Sequence, residues 1–89
     1  MGGGGRRFGP NPVDVQVGNN VRAERTGLGF SQDDIANELG ISLDEYRECE
    51  SGLRRFGPER LLKLARLFGV GPEFFFEGLP GATSRDLIN

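Results

Sequence analysis

The chain has 89 residues, of which 11 are lysine or arginine and 13 are aspartate or glutamate, giving a net charge of −2. This length supports one small domain, and the near-neutral charge differs from that of strongly basic nucleic-acid-binding domains. With no histidine, one cysteine and no apolar run of membrane length, the sequence argues against an enzyme, a metal or cofactor site, a disulfide and a membrane span, and it is typical of a cytoplasmic protein.

The two ends of the chain lack apolar periodicity. Residues 1–12 contain five glycines, two prolines and the arginines Arg6 and Arg7, a composition that predicts a disordered arm. Residues 79–89 are expected to form a short polar C-terminal tail. The folded domain is therefore expected over residues 13–78, where so small a core requires closely packed helices or oligomerisation.

The first predicted helix covers residues 14–26. Asp14 lies two residues after Pro12 and is the expected N-cap, and the glycines after Thr26 end the helix. Val17, Val21 and Leu28 form a partial apolar stripe at helical spacing, which predicts that one side of this helix faces the core.

Residues 31–52 predict two short helices, over 31–39 and 42–51, joined by a tight turn. Ser31 precedes Asp34 by three residues and Ser42 precedes Glu45 by three, so each helix is expected to begin with a capping box, the first in its aspartate variant. Gly40 lies where the end of the first of these helices needs a left-handed residue. Two helices joined by a glycine-containing turn form the helix-turn-helix pattern, which indicates a DNA-binding protein.

The second helix of this pattern has two distinct faces. Tyr46 and Cys49 are expected to face the core, so Cys49 is predicted to be a buried, inert thiol. The outward face carries Leu43, Asp44, Arg47, Glu48 and Ser51. The first four are the candidates for contact with DNA bases, and a leucine there can touch a thymine methyl.

The remaining segments predict a loop at 52–57 and two further helices. Arg54 and Arg55 in the loop have no acidic neighbour in the sequence, which favours contact with phosphates. The fourth helix is expected from Pro58 until Gly69 ends it. Its expected core stripe is Leu61, Leu62, Leu64, Ala65, Leu67 and Phe68.

The fifth predicted helix is short and covers residues 72–76. Three successive helical residues cannot face one direction, so two of the phenylalanines at 74–76 are assigned to the core. Phe76, with Leu79, is assigned to a contact between two copies of the chain. No segment alternates as a strand would, so the domain is predicted to be all-α.

Taken together, these features resemble a known family. The run VGNNVRAERTGLGFSQDDIANELGISLDEYRECESGLRRFGPERLLKLARLFGVGPEFFFEG, residues 17–78, is similar to the Cro/repressor-type helix-turn-helix proteins, also called the XRE family. The matching marks are the Val-Gly and Val-Arg opening with Arg25, then Gly-Phe-Ser-Gln, Ile-Ala, Leu-Gly-Ile-Ser, Glu50-x-Gly52, the leucine-rich helix, and Gly-Val before a phenylalanine cluster. The resemblance implies a compact five-helix, lambda-repressor-like domain of a prokaryote or phage. Such a domain binds double-stranded operator DNA as a homodimer and regulates transcription, with repression expected.

The resemblance also implies roles for individual residues. The second motif helix enters the major groove in this family. Its base-reading positions fall on Leu43, Asp44 and Glu48, with Arg47 alongside. Its phosphate-contacting positions fall on Gln32, Ser51, Arg54 and Arg55. Arg25 and Glu50 match a mostly buried salt bridge, so Glu50 is expected to be structural, and losing one partner of such a pair costs about 3–5 kcal/mol.

An acidic surface supports an alternative function. Residues 31–51 contain seven acids and one base, Arg47, in the segment that would approach a polyanion. DNA affinity depends largely on neutralising phosphates, although a carboxylate can accept a hydrogen bond from cytosine N4. The alternative is a helix-turn-helix-fold module that binds a second regulatory protein through this acidic face and does not read DNA.

Overall fold

The computed structural model describes residues 11–79, which fold into four α-helices and one 3-10 helix with no β-strand among them. The α-helices are α1 (Pro12–Gly27), α2 (Gln32–Leu39), α3 (Leu43–Ser51) and α4 (Pro58–Phe68), and the 3-10 helix covers Pro72–Phe76. The all-α prediction is confirmed for these residues. The expected fifth helix is a 3-10 helix, because the N–H groups of Phe74 and Glu77 donate to carbonyls three residues earlier.

The predicted arm and tail lie outside the described residues, apart from positions 11, 12 and 79. Within residues 11–79, no helix is both long and apolar enough to cross a bilayer.

Helix α1 begins earlier than the sequence predicts. The Asn11 side chain accepts hydrogen bonds from the backbone N–H groups of Val13 and Asp14 at 2.8 and 3.4 Å. Pro12 occupies the first helical position, where a missing N–H costs no hydrogen bond. The N-cap is therefore Asn11, and the assignment of that role to Asp14 is wrong. Asp14 instead lies in the first turn, where its carboxylate pairs with Arg55.

The two motif helices begin with different kinds of cap. Ser31 and Asp34 form a complete capping box, with both hydrogen bonds at 2.9 Å. The Ser42 hydroxyl accepts from the backbone N–H of Glu45 at 3.0 Å, but the Glu45 carboxylate pairs with Arg60 of α4 at 2.9 Å. The second predicted capping box is therefore only half formed, because a charge-assisted bond to another helix takes the carboxylate.

The core lies where α1 packs against α3 and the 3-10 helix, with α2 covering α3 and α4 meeting the 3-10 helix. The ring of Phe68 lies between those of Phe30 and Phe75, with centroids 6.2 Å away in each case. The buried apolar side chains are Val17, Val21, Ile35, Ala36, Tyr46, Cys49, Phe56, Leu61, Leu64, Ala65, Phe68 and Phe75. This packing holds α3 against the domain on one side only.

Two leucines assigned to core stripes are exposed. Leu62 is 47% exposed because the buried face of α4 follows positions 61, 64, 65 and 68, which have helical spacing. Leu28 is 48% exposed because it follows the last residue of α1. Among the three phenylalanines, Phe75 is buried, Phe74 packs against the core and Phe76 remains at the surface, as the sequence predicts.

Candidate nucleic-acid interface

Glu50 of α3 is the centre of a buried hydrogen-bond network. Arg25 of α1 donates to both of its carboxylate oxygens, from Nε at 2.7 Å and from Nη2 at 3.2 Å. Gln32 Nε2 donates to Oε1 at 2.8 Å, and the Tyr46 hydroxyl donates to Oε2. Arg25 also donates from Nη1 to the backbone carbonyl of Phe30 at 2.8 Å. The network ties α1, α2 and α3 together at one point.

The network also sets the protonation of Glu50. Burial disfavours the carboxylate, but the hydrogen bonds from Arg25, Tyr46 and Gln32 outweigh this effect and lower the pKa of Glu50. The same surroundings raise the pKa of the Tyr46 hydroxyl, first because it is buried and then because it donates to Glu50. Glu50 is therefore ionised at neutral pH and, with its side chain 4% exposed, faces the interior.

Gln32 connects this network to the surface of α3. Its side-chain oxygen accepts a hydrogen bond from Arg47 Nε at 3.2 Å, while its nitrogen donates to Glu50. Gln32 is half-buried and Arg47 is exposed. Gln32, which was assigned to phosphate contact, therefore uses its side-chain oxygen and one N–H in hydrogen bonds within the protein.

The candidate base-facing residues differ in their exposure. Asp44 and Arg47 are exposed on α3, and Glu48 is partly exposed. Leu43 packs partly against the core and so presents less of its side chain than the sequence suggests. Ser51 is exposed, and its hydroxyl donates to the backbone carbonyl of Glu48 at 3.1 Å. The outward side of α3 is thus a polar surface with one apolar edge.

The arginines after α3 are both ion-paired. Arg54 donates from Nε and Nη2 to Glu48 Oε1 at 3.0 and 2.8 Å. Arg55 donates from Nε to Asp14 Oδ1 at 3.0 Å. The side chains of Arg54 and Arg55 remain 52% and 69% exposed. The loop has no acid in its own sequence, but the fold brings one acid to each arginine.

These pairs alter the local charge of the motif. Glu45, Glu48 and Glu50 each have an arginine partner, and Asp34 completes a capping box. Within residues 11–79, the motif acids without an ion pair are Asp33, Asp34, Glu38 and Asp44. The excess of acid is therefore smaller in the fold than in the sequence, and it is greatest around α2.

Cys49 is buried beneath α3, and its thiol has no solvent exposure. Burial raises the pKa of this thiol, and the nearby Arg60 only partly opposes the effect. Its sulfur lies 3.9 Å from the backbone carbonyl oxygen of Arg55. Cys49 therefore behaves as a small core side chain under the loop.

An apolar groove lies at one edge of the domain, beside the N-terminus of α1. Its volume is about 330 Å³, and Asn11, Val13, Val17, Phe56, Leu61 and Phe76 are among the residues that line it. Phe76 and Val13 are partly exposed there, at 36% and 43%. Leu79 packs partly against the core. Of the two residues assigned to a dimer contact, only Phe76 lines the groove.

The contacts of Tyr46 and Asp14, and the exposure of Leu53, were not predicted from the sequence. Tyr46 lies four residues before Glu50 on one helix face, so spacing alone was a usable signal for their contact. Asp14 is 41 residues from Arg55 in sequence, and no local pattern links them. Leu53, 65% exposed beside the paired arginines, also carries no sequence signal of its own.

Comparison with known proteins gives one family. Residues 21–75 match the helix-turn-helix family model. An HTH-type transcriptional regulator of Sinorhizobium medicae (strain WSM419) is 40% identical over 72 residues, which cover 81% of this chain and 52% of that protein. A transcriptional regulator in the ATPase CF(0) region of Rhodospirillum rubrum is 34% identical over 67 residues, covering 75% and 62%. The chain spans about half the length of the first of these curated relatives.

Two solved structures share the fold. The restriction-modification controller protein C.AhdI from Aeromonas hydrophila is 31% identical, with a TM-score of 0.64 over 70% of this chain and 94% of that one. The DNA-binding domain of BldD is 26% identical, with a TM-score of 0.62 over 72% of this chain and 93% of that one. Over the matched residues, the helices of this chain are therefore arranged as in these two proteins.

Proposed function

Because this chain belongs to the XRE-type helix-turn-helix family of transcriptional regulators, we propose that it binds double-stranded DNA and represses transcription in the cytoplasm of a bacterium. In this proposal α3 enters the major groove and reads base edges with Leu43, Asp44, Arg47 and Glu48. Gln32, Ser51, Arg54 and Arg55 lie alongside phosphates.

The main support for this proposal is that the outward side of α3 is exposed to solvent. Asp44, Arg47 and Ser51 are exposed, and no segment among residues 11–79 covers them. The opposite side of α3 is held by α1 through the Arg25–Glu50 salt bridge. A rigid helix with one free polar face has the form that major-groove reading requires.

The loop arginines supply the phosphate-binding charge. Arg54 and Arg55 are paired with carboxylates, but both arginines are more than half exposed, and exposed ion pairs are weak. A phosphate oxygen can therefore replace either carboxylate as the acceptor. The acids Asp33, Glu38 and Asp44, unpaired in the described part of the chain, repel phosphates and so weaken binding by one copy. Each arginine–phosphate contact releases counterions, which makes this binding strongly dependent on salt.

Weak binding by one copy favours a homodimer. Two linked α3 helices would bind two half-sites, and the second contact would be intramolecular. Phe76 and Leu79 are the proposed contact, since Phe76 is an exposed aromatic side chain at the edge of an apolar groove. Sedimentation of the protein with and without DNA tests this: a monomer mass at every concentration, also on DNA, would refute the dimer.

The test of DNA binding is selection of genomic fragments by the purified protein, followed by affinity measurements over a range of salt. We expect tight binding of selected fragments and a steep fall with salt, both largely lost in the Arg54→Ala/Arg55→Ala double variant. The matched control is Lys63→Ala/Arg66→Ala, which removes two exposed charges from α4 instead. No enrichment over the loop variant would reject the DNA-binding function.

A protein-binding module is the second candidate. It is favoured by the acids Asp33, Glu38 and Asp44, which have no ion pair within residues 11–79. Such a surface suits a basic partner protein, which would be another regulator. In that case Asp44→Lys/Glu48→Lys abolishes partner binding, and the protein shows no salt-dependent affinity for any duplex.

A further inference from the structure

Gln32 joins the buried salt bridge to an exposed arginine on α3. Its Nε2 donates to Glu50 Oε1 at 2.8 Å, and its Oε1 accepts from Arg47 Nε at 3.2 Å. The two ends of the amide therefore bind opposite kinds of partner, a carboxylate and a guanidinium. Only one orientation of the amide satisfies both, because a flipped amide would place its oxygen against Glu50 and its N–H groups against Arg47.

The buried end of this connection is firmly held. Glu50 also accepts hydrogen bonds from Arg25 and Tyr46, so the position of its carboxylate is fixed from α1 and from α3 itself. Moving Gln32 would remove a hydrogen bond from a buried charge, which is costly. The side-chain oxygen that meets Arg47 is thus fixed by the interior of the domain.

The hydrogen bond to Gln32 leaves the two terminal nitrogens of the Arg47 guanidinium free to donate to another acceptor. Gln32 takes Arg47 Nε, and among residues 11–79 neither terminal nitrogen of that guanidinium has a hydrogen-bond acceptor. The terminal N–H groups are the donors that bind O6 and N7 of guanine in the major groove. An arginine already held at Nε loses less side-chain freedom when it binds, so more of the contact energy remains as affinity.

We propose that Gln32 is a positioning residue that holds Arg47 to read a guanine at one position of the binding site. This inference rests on the proposed DNA-binding function. This role differs from the phosphate contact that the resemblance implies for Gln32. Loss of a phosphate contact weakens binding to all sequences alike, whereas loss of a positioning residue changes the preference among bases.

The test is selection from a library of randomised duplexes, followed by affinity measurements on the selected site and its single-base variants. The native protein is expected to prefer guanine at one position, and Arg47→Ala to lose that preference. Gln32→Ala is expected to lower the discrimination at the same position by about five-fold or more. In an Arg47→Ala background, Gln32→Ala should change discrimination at that position no further, because both residues act through one contact.

The matched control is Asn37→Ala, which removes an exposed amide from the same helix and should leave base preference unchanged. Thermal unfolding identifies a temperature at which every variant is folded. A further measurement needs no DNA: hydrogen exchange of the Arg47 Nε–H by NMR should be faster in Gln32→Ala than in the native protein and in Asn37→Ala.

The outcomes separate this inference from the function on which it rests. If no duplex shows salt-dependent binding, the proposed function fails. If duplexes bind but Gln32→Ala weakens all of them equally, or changes selectivity equally with and without Arg47, the positioning role is overturned and the DNA-binding function stands. An unchanged exchange rate of the Arg47 Nε–H would also overturn it.

Discussion

Gly18 of α1 lies directly against the backbone of Glu50 in α3. A Cβ atom added at Gly18 would lie 2.1 Å from the Glu50 carbonyl oxygen and 2.8 Å from its carbonyl carbon. The two helix backbones thus touch beside the Arg25–Glu50 salt bridge, and a side chain of any size at position 18 would separate them. This contact fixes where α3, and with it the proposed reading surface, lies on the domain.

Gly18→Ala is expected to destabilise the protein by about 1–3 kcal/mol or more, because the added methyl meets rigid backbone. Gly27→Ala is the control, since a Cβ there has nothing within 4 Å and lies at the end of the same helix. That change should be neutral or stabilise by a few tenths of a kcal/mol to about 1 kcal/mol. Urea unfolding measures both, and equal stabilities of the two variants would contradict the close contact.

Glu50→Gln is expected to lower the free energy of unfolding by about 3–5 kcal/mol, because it leaves the Arg25 guanidinium buried without its counter-charge. Glu38→Gln removes an exposed acid from α2 and should change stability little. Chemical unfolding followed by circular dichroism tests the difference. Equal stabilities of Glu50→Gln and Glu38→Gln would contradict a stabilising role for the Glu50 network.

The free energy of unfolding is expected to depend on pH through the carboxylate of Glu50. Glu50 has a lowered pKa in the folded protein, because the hydrogen bonds from Arg25, Tyr46 and Gln32 outweigh the effect of burial, and the ordinary value of 4.5 applies in the unfolded chain. The stabilisation is complete above about pH 5 and is lost as the pH falls from there through the lower, folded-state pKa. Unfolding measured from pH 7 to pH 2 should show this loss, and Glu50→Gln should show a flatter profile.

Cys49 is expected to resist thiol reagents in the folded protein, because its thiol is buried and burial raises its pKa. Reaction with a coloured disulfide reagent should be slow in buffer and fast in denaturant. A Ser51→Cys variant supplies an exposed thiol two residues away, and in buffer one thiol per chain of this variant should react fast with the reagent. Fast modification of the native protein at Cys49 would show that the loop over it opens readily.

Glu48 is expected to hold Arg54 back from DNA, since its Oε1 accepts hydrogen bonds from both Nε and Nη2 of that arginine. On the proposed function, Glu48→Gln should tighten DNA binding by roughly two- to ten-fold at low salt, with a smaller gain at high salt. Glu59→Gln removes the same charge from the first turn of α4 and is the control. A gain of equal size in both variants would point to net charge alone and not to release of Arg54.

Much of the fold could be predicted because its signals are local. Ser31 with Asp34 and Gly40 mark α2, Ser42 marks the start of α3, and Gly69 ends α4 with a left-handed residue. Each of these devices acts within about four residues, so the chain order alone reveals it. The prediction failed where two nearby residues could each cap a helix: Asn11 caps α1, and Asp14 was assigned that role from the sequence.

The partners of charged side chains were harder to predict. Glu45 was assigned to a capping box and pairs instead with Arg60, and both loop arginines have partners that the sequence does not place beside them. An ion pair requires two side chains within about 4 Å, and that distance depends on how the helices pack. The Arg25–Glu50 pair was expected only because the family resemblance implied it.

The sequence by itself determined the four α-helices, the serine caps of α2 and α3, the helix-turn-helix spacing and which side of α3 faces the core, because helical periodicity and capping depend on neighbours along the chain. Tertiary structure alone decided that Arg55 pairs with Asp14, that Gln32 links Glu50 to Arg47, and that Gly18 touches α3. These relationships join residues from separate parts of the fold and exist only after packing brings those parts into contact.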